Sequence, residues 1–325
     1  MRKGNREQGT GKTNAPAPRL SPGKIGLGLA AIAGVGLVAG SLTYAWFATH
    51  PPRLRVRAKK ARGLPIEPVT FLSRDGLKIS GWFIPAENAV GAIILCHGHP
   101  ANRMEMLPRA RTLHPAGFHL LLFDFRSLGE SEGKLCSIGL HETQDLQGAA
   151  DYLFQRTEMR GLPLGVYGIS MGGAVAIMTA AKDDRFAAVA THGAYADLDT
   201  AITQRGRMIL GPLGRLFSAP TAFFGRRWLP CEPRHVSPVM VIEKIAPRPI
   251  LIFHGARDIS VNPADGKALY AAAEQPKSLR ILPRSWHITV HPSERAAYDR
   301  ELIAFFQGNL NHRVHREEHG DAENK

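Results

Sequence analysis

The sequence predicts an α/β fold: a mostly parallel sheet with helices on both faces, preceded by a transmembrane helix. Three observations predict it. From about residue 69 to 307, short continuous apolar runs alternate with stretches of helical spacing, the pattern of parallel strands joined by crossover helices. Gly168-Ile169-Ser170-Met171-Gly172 stands between an apolar run, Leu164 to Tyr167, and an Ala-rich helix-forming run, Gly173 to Lys182. Ile25 to Thr49 contains no charged residue, and roughly 20 apolar residues cross a bilayer.

Residues 1–24 are polar, with six Lys/Arg, and read as a disordered basic tail. The run 25–49 follows as the anchor. It is Gly-rich, and Tyr44 and Trp46 near its end suit a membrane interface. A cleaved signal peptide has a shorter apolar core, and the small-residue site Ala39-Gly40-Ser41 lies inside the run. Arg6, Lys12, Arg19 and Lys24 precede the span, whereas Arg53, Arg55, Arg57, Lys59, Lys60 and Arg62 follow it in a basic linker, 50–64. The larger count after the span leans towards a cytoplasmic body.

The globular part, 65–308, opens with Val69–Leu72 and Leu77–Ile84, two strand-like runs joined by the hairpin signal Asp75-Gly76. Ala92–Cys96 is a continuous apolar run, as a buried parallel strand requires. It ends in His97-Gly98-His99-Pro100. A helical segment near Arg103–Leu113, a strand His119–Asp124, a loop 126–133 and a helix Leu140–Arg156 follow. After the serine segment come strands Phe186–Thr191, Pro249–His254 and Leu279–Leu282, then a closing helix Ala296–Phe306. Between 197 and 237 the alternation breaks down. Apolar residues such as Leu213, Phe217, Phe223 and Trp228 mix there with six arginines, which fits either a lid over a pocket or helices packed on the sheet edge. The tail 309–325 reads as disordered.

The net charge of +13 looks like a nucleic-acid signal. Its distribution excludes that reading: residues 1–69 hold 12 Lys/Arg against Glu7 and Glu67, leaving the remainder nearly balanced. Cys96, Cys136 and Cys231 are too few for a disulfide framework. His97 and His99 are an isolated pair, and His312, His315 and His319 are loosely spaced, so neither metal nor cofactor is expected.

The chain resembles the α/β-hydrolase superfamily, nearest to the serine aminopeptidase and monoacylglycerol lipase-like serine hydrolases, from Val69 to about Gln307. The matches occur in order: the opening hairpin; His97-Gly98 at the third strand's end; Asp124-Phe125-Arg126-Ser127-Leu128-Gly129-Glu130-Ser131, with Ser127 where the family usually has Gly; the serine turn; His254-Gly255-Ala256-Arg257-Asp258; and Trp286-His287 after the last strand. The resemblance implies a serine hydrolase with a small lid near 197–237.

The chemistry asks for the same parts. A serine hydroxyl is a weak nucleophile until a base takes its proton. Histidine titrates in the right range, and a buried carboxylate fixes its tautomer. Ser170, Asp258 and His287 occur in the chain order of this fold. Asp197 is the rival acid and His291 the rival base. Two backbone N–H donors must face the oxyanion. Met171 follows the nucleophile, and His99 is the choice from the other loop because Pro100 has no N–H. His97 is expected to brace that loop through its ring.

The expected protein is a membrane-anchored, single-pass serine hydrolase, cleaving an ester-like acyl bond in a small-molecule or lipid-like acyl substrate, with no nucleic-acid partner. Peptide or thioester hydrolysis on the same residues, or a non-catalytic membrane-bound interaction module, are the alternatives. A chain begun near Arg62 is expected to be soluble and active, since every candidate site residue lies beyond position 90.

Overall fold

The computed structural model describes residues 21–229 and 233–310. The expected basic tail up to residue 20, Cys231 and the tail beyond residue 310 lie outside them.

Helix α1 (Pro22–Thr49) is a 28-residue apolar helix, long and apolar enough to cross a membrane. It is exposed along most of its length up to Gly40. Its last turns differ: Ser41, Ala45 and Thr49 are buried against the body.

Strands β1 (Glu67–Leu72) and β2 (Lys78–Ile84) form the expected antiparallel hairpin. Then come β3 (Gly91–Cys96), α2 (Leu107–Leu113), β4 (Phe118–Phe123), α3 (Glu142–Gln155), β5 (Leu164–Ile169) and α4 (Met171–Ala180). After β6 (Phe186–His192), helices α5 (Leu198–Leu210) and α6 (Gly214–Trp228) interrupt the alternation. The chain closes with β7 (Ile250–Gly255), α7 (Pro263–Ala272), β8 (Lys277–Leu282) and α8 (Pro292–Leu310). The order in the eight-stranded sheet is β1-β2-β4-β3-β5-β6-β7-β8, parallel from β4 to β8. This is the α/β-hydrolase fold.

The central strands read as unbroken apolar runs because both their faces are covered. Ile94 and Val166 point to the core under α3, α4 and α7. Ile93, Leu95, Tyr167 and Ile169 point to the core under α2 and α8. Parallel strands of this kind gather their C-terminal ends along one edge, where loops are free to carry chemistry.

The loop after β4 is anchored by buried charge. Arg126 donates to Asp145 on α3 at 2.7 Å and to both oxygens of hairpin residue Asp75 at 2.7 Å. The hydrogen bonds from Arg126 hold the Asp75 carboxyl down to about 2. Asp145 is fully buried and the Arg126 side chain 5% exposed. Removing Asp145 leaves Arg126 paired with Asp75 but strands its Nε–H and one Nη2–H in the core, which costs about 1–3 kcal/mol. Asp145→Ala should lower stability by that much in urea or thermal unfolding, with little change in the denaturant slope. Ser127, at the position the family gives to Gly, adopts φ 64°; the departure is one of residue, not of backbone.

Candidate active site

Ser170 sits between β5 and α4 with φ 52° and ψ −119°, strained values for a residue with a side chain. Such a turn lifts the hydroxyl clear of the sheet. Small neighbours make it possible: a Cβ on Gly168 would lie 2.2 Å from the Gly172 carbonyl oxygen, and one on Gly172 would lie 2.3 Å from that of Cys96.

The structure brings Ser170, His287 and Asp258 together. His287 Nε2 is 2.9 Å from Ser170 Oγ, and His287 Nδ1 is 2.6 Å from Asp258 Oδ2. With the Nδ1 proton facing the carboxylate, Nε2 presents its lone pair to the serine hydroxyl. Asp258 lies in the turn after β7. Its Oδ1 accepts the N–H groups of Ser260 and Val261 at 2.8 and 2.9 Å. Burial pushes this carboxyl up, but hydrogen bonds from His254 and His287 outweigh it and hold it well below the usual carboxylate range. The rivals are elsewhere. Asp197 caps α5, accepting the Thr200 N–H at 2.7 Å. The His291 ring pairs with Ser293 Oγ at 2.8 Å where α8 begins.

Met171 opens α4, and the first N–H groups of a helix have no intrahelical acceptor. On the facing loop, a Cβ on Gly98 would lie 3.2 Å from Ser170 Cβ, so this backbone runs beside the serine. The Gly98 N–H is taken by Glu105 Oε2 at 2.6 Å, which leaves the His99 N–H as the donor that loop can offer. The His97 ring ties the loop down: Nδ1 donates to the Gly98 carbonyl at 2.7 Å while Nε2 accepts the Phe125 N–H at 3.0 Å. Burial lowers both His97 and His99 to about 4, so both rings are neutral at neutral pH.

Glu105 is a positioning residue that sequence reasoning missed. It precedes α2 in a 3₁₀ turn and carries no motif. Burial raises its carboxyl above the ordinary value, with the Gly98 N–H and His287 opposing.

Ser170, Met171 and His99 line a cavity that is partly open to solvent. Its walls include Leu198, Ala201 and Ile202 of α5, Thr221, Ala222 and Gly225 of α6, and Tyr44, Ala45, Ala48 and Thr49 of α1. The expectation that every site residue lies beyond position 90 is therefore corrected: the last two turns of α1 form one wall of the cavity. Ser41 Oγ donates to the Phe217 carbonyl at 3.2 Å, the Cys136 N–H donates to the Thr49 carbonyl at 2.8 Å, and the Tyr44 and Phe217 rings meet edge-on at 5.5 Å. Contacts that span 87 to 176 residues leave no local mark in a sequence. The walls are apolar, and the Thr49, Tyr195 and Thr221 hydroxyls all donate to backbone carbonyls, at 2.8, 2.6 and 2.7 Å.

The sequence matches the prolyl oligopeptidase family over residues 137–313, more than half of the chain. The chain belongs to that family. As a prolyl oligopeptidase family member it is similar to the uncharacterised protein YfhR of Salmonella typhi, 31% identical over 252 residues that cover 74% of this chain and 81% of that protein. It is also similar to the uncharacterised YqkD of Bacillus subtilis, 29% identical over 74% of this chain and 78% of YqkD. In fold it matches an esterase of Pyrococcus furiosus, with a TM-score of 0.66 at 21% identity over 81% of this chain and 98% of that one. It also matches the acylaminoacyl peptidase of Pyrococcus horikoshii, with a TM-score of 0.61 at 19% identity over 78% of this chain and 43% of the peptidase. Family and fold together place this prolyl oligopeptidase family chain among the serine hydrolases of the α/β-hydrolase superfamily.

Proposed function

We propose that the chain is a membrane-anchored serine hydrolase that cleaves an ester-like acyl bond through Ser170, His287 and Asp258. The observation that carries this reading is the hydrogen-bonded line from Asp258 through His287 to Ser170, opening on a largely apolar cavity. In the proposed reaction, His287 Nε2 takes the hydroxyl proton as Ser170 Oγ attacks the acyl carbon. The Met171 and His99 N–H groups bind the oxyanion. His287 returns the proton to the departing alcohol, leaving an acyl-serine. Water then enters by the same route and releases the acid. Asp258 keeps the imidazole in its working tautomer and stabilises the imidazolium.

An ester is favoured because an apolar pocket suits an acyl chain, whereas an extended peptide needs backbone hydrogen-bond partners along a groove. Peptide hydrolysis on the same residues is the second reading, supported by the family's name. For α1, anchoring is favoured over a cleaved leader because removing the helix would remove a wall of the cavity. Exposed Leu213, Leu216 and Phe223 on the segments packed near α1 add apolar surface for a bilayer. The basic run Arg53 to Arg62 suits anionic headgroups and leans towards a body on the cytoplasmic side.

The test uses isolated membranes. The full-length protein should stay in the pellet through high salt and alkaline carbonate, hydrolyse a p-nitrophenyl ester there, and leave a peptide anilide largely uncleaved. Release by salt would mean peripheral binding, and faster anilide cleavage would move the function to the second reading.

A further inference from the structure

Arg205, on α5, is the one formally charged side chain among the described residues that line the catalytic cavity. It is half-buried. A half-exposed arginine ordinarily meets water or a surface carboxylate. Arg205 has no carboxylate partner among the described residues. Its side chain contacts Met208 Sδ, 3.7 Å from Nη1, and lies close to the Tyr44 hydroxyl of α1. Of the acids on or against α5, Asp197 accepts the Thr200 N–H at 2.7 Å and Asp265 the Gln204 amide at 3.0 Å. The remaining cavity polar groups are neutral. The hydroxyls of Thr49, Tyr195 and Thr221 are satisfied by backbone, and His99 carries no charge at neutral pH.

A cation beside apolar walls is a selective feature. Attraction to an anion grows as the surroundings become less polar, and the planar guanidinium fork fits a carboxylate or a phosphate through two parallel hydrogen bonds. A wholly neutral acyl substrate would leave this fork unmatched. We propose that the ester substrate of this cavity carries an anionic group, a phosphate or a carboxylate, and that Arg205 binds it. Arg205 is thus a specificity-determining residue, and the substrate class is an anionic amphiphile with one acyl chain. The inference rests on the serine-hydrolase reading of Ser170.

The experiment compares lauroyl glycerol, which is neutral, with two anionic esters of matched length: lauroyl glycerol phosphate, charged on the alcohol side, and the glycerol monoester of dodecanedioic acid, charged at the acyl end. Charge-assisted hydrogen bonds contribute about 1.5–3 kcal/mol, so the full-length protein in detergent should prefer at least one anionic ester by about tenfold or more in kcat/KM, expressed mainly in KM. The preferred ester shows on which side of the scissile bond the anion sits. Arg205→Gln should bring the ratio to near one, and Arg205→Lys should keep part of it. Labelling each protein with a fluorophosphonate reports whether the site is assembled. If the Gln variant takes no label, the wild-type ratio and the Lys variant decide. A wild type with no preference for either anionic ester, or a labelled Gln variant that keeps the preference, overturns the inference alone. A wild type that takes no label overturns the hydrolase reading beneath it.

Discussion

Replacing His287 by Ala should lower turnover of a short p-nitrophenyl ester by about 10⁴–10⁶-fold, the range seen when a member of such a triad is removed. His291→Ala should change it little. The two histidines are four residues apart, and the geometry separates them. His287 Nε2 is 2.9 Å from the Ser170 hydroxyl. The His291 ring faces Ser293, whose N–H it accepts at 3.2 Å, so it acts as a cap for α8, and its loss should cost stability of about 1 kcal/mol, not catalysis. Steady-state kinetics on both variants checks the ranking, and the opposite ranking would move the base to His291.

A chain begun at Arg62 should lose the ability to favour long acyl chains. Truncation removes Tyr44, Ala45, Ala48 and Thr49 from the cavity wall, together with the Ser41–Phe217 and Thr49–Cys136 hydrogen bonds. It also uncovers Phe217 and the face of Trp228 that meets His50. Each methylene buried against such a wall contributes about 0.8 kcal/mol, or about fourfold in kcat/KM. Full-length protein should therefore gain steeply from butyrate to laurate esters, and the shortened chain should show a much flatter series and a lower unfolding temperature in the same detergent. Equal chain-length series would show that α1 is only an anchor.

Much of the fold was legible because its signals are local. The strands β3, β4, β5 and β7 are buried on both faces, so each reads as an apolar run that needs no knowledge of its neighbours. The serine turn announces itself in five residues, and the order of Ser170, Asp258 and His287 follows from the strand each one succeeds. What was hidden depends on distant contacts. Nothing near Tyr44 says that it meets Arg205 and Phe217. Helices α5 and α6 mix apolar residues with arginines because one face lines the cavity while another is exposed, so neither a lid nor an edge packing could be chosen from pattern. Helix α7 was missed because its short, weakly amphipathic stretch offers little beyond the Asn262-Pro263 start. Glu105 was invisible because its role, taking the Gly98 N–H, exists only once β3 and the turn before α2 are folded together.

Ser170, in the proposed reaction, is an activated nucleophile. The most direct test is reaction of the full-length protein in detergent with a fluorophosphonate, followed by mass analysis of the peptide carrying the adduct. One adduct is expected, on Ser170, formed quickly by the wild type, abolished by Ser170→Ala and strongly slowed by His287→Ala. An adduct on another serine, or a Ser170→Ala protein that still labels and still turns over ester at the wild-type rate, would contradict it.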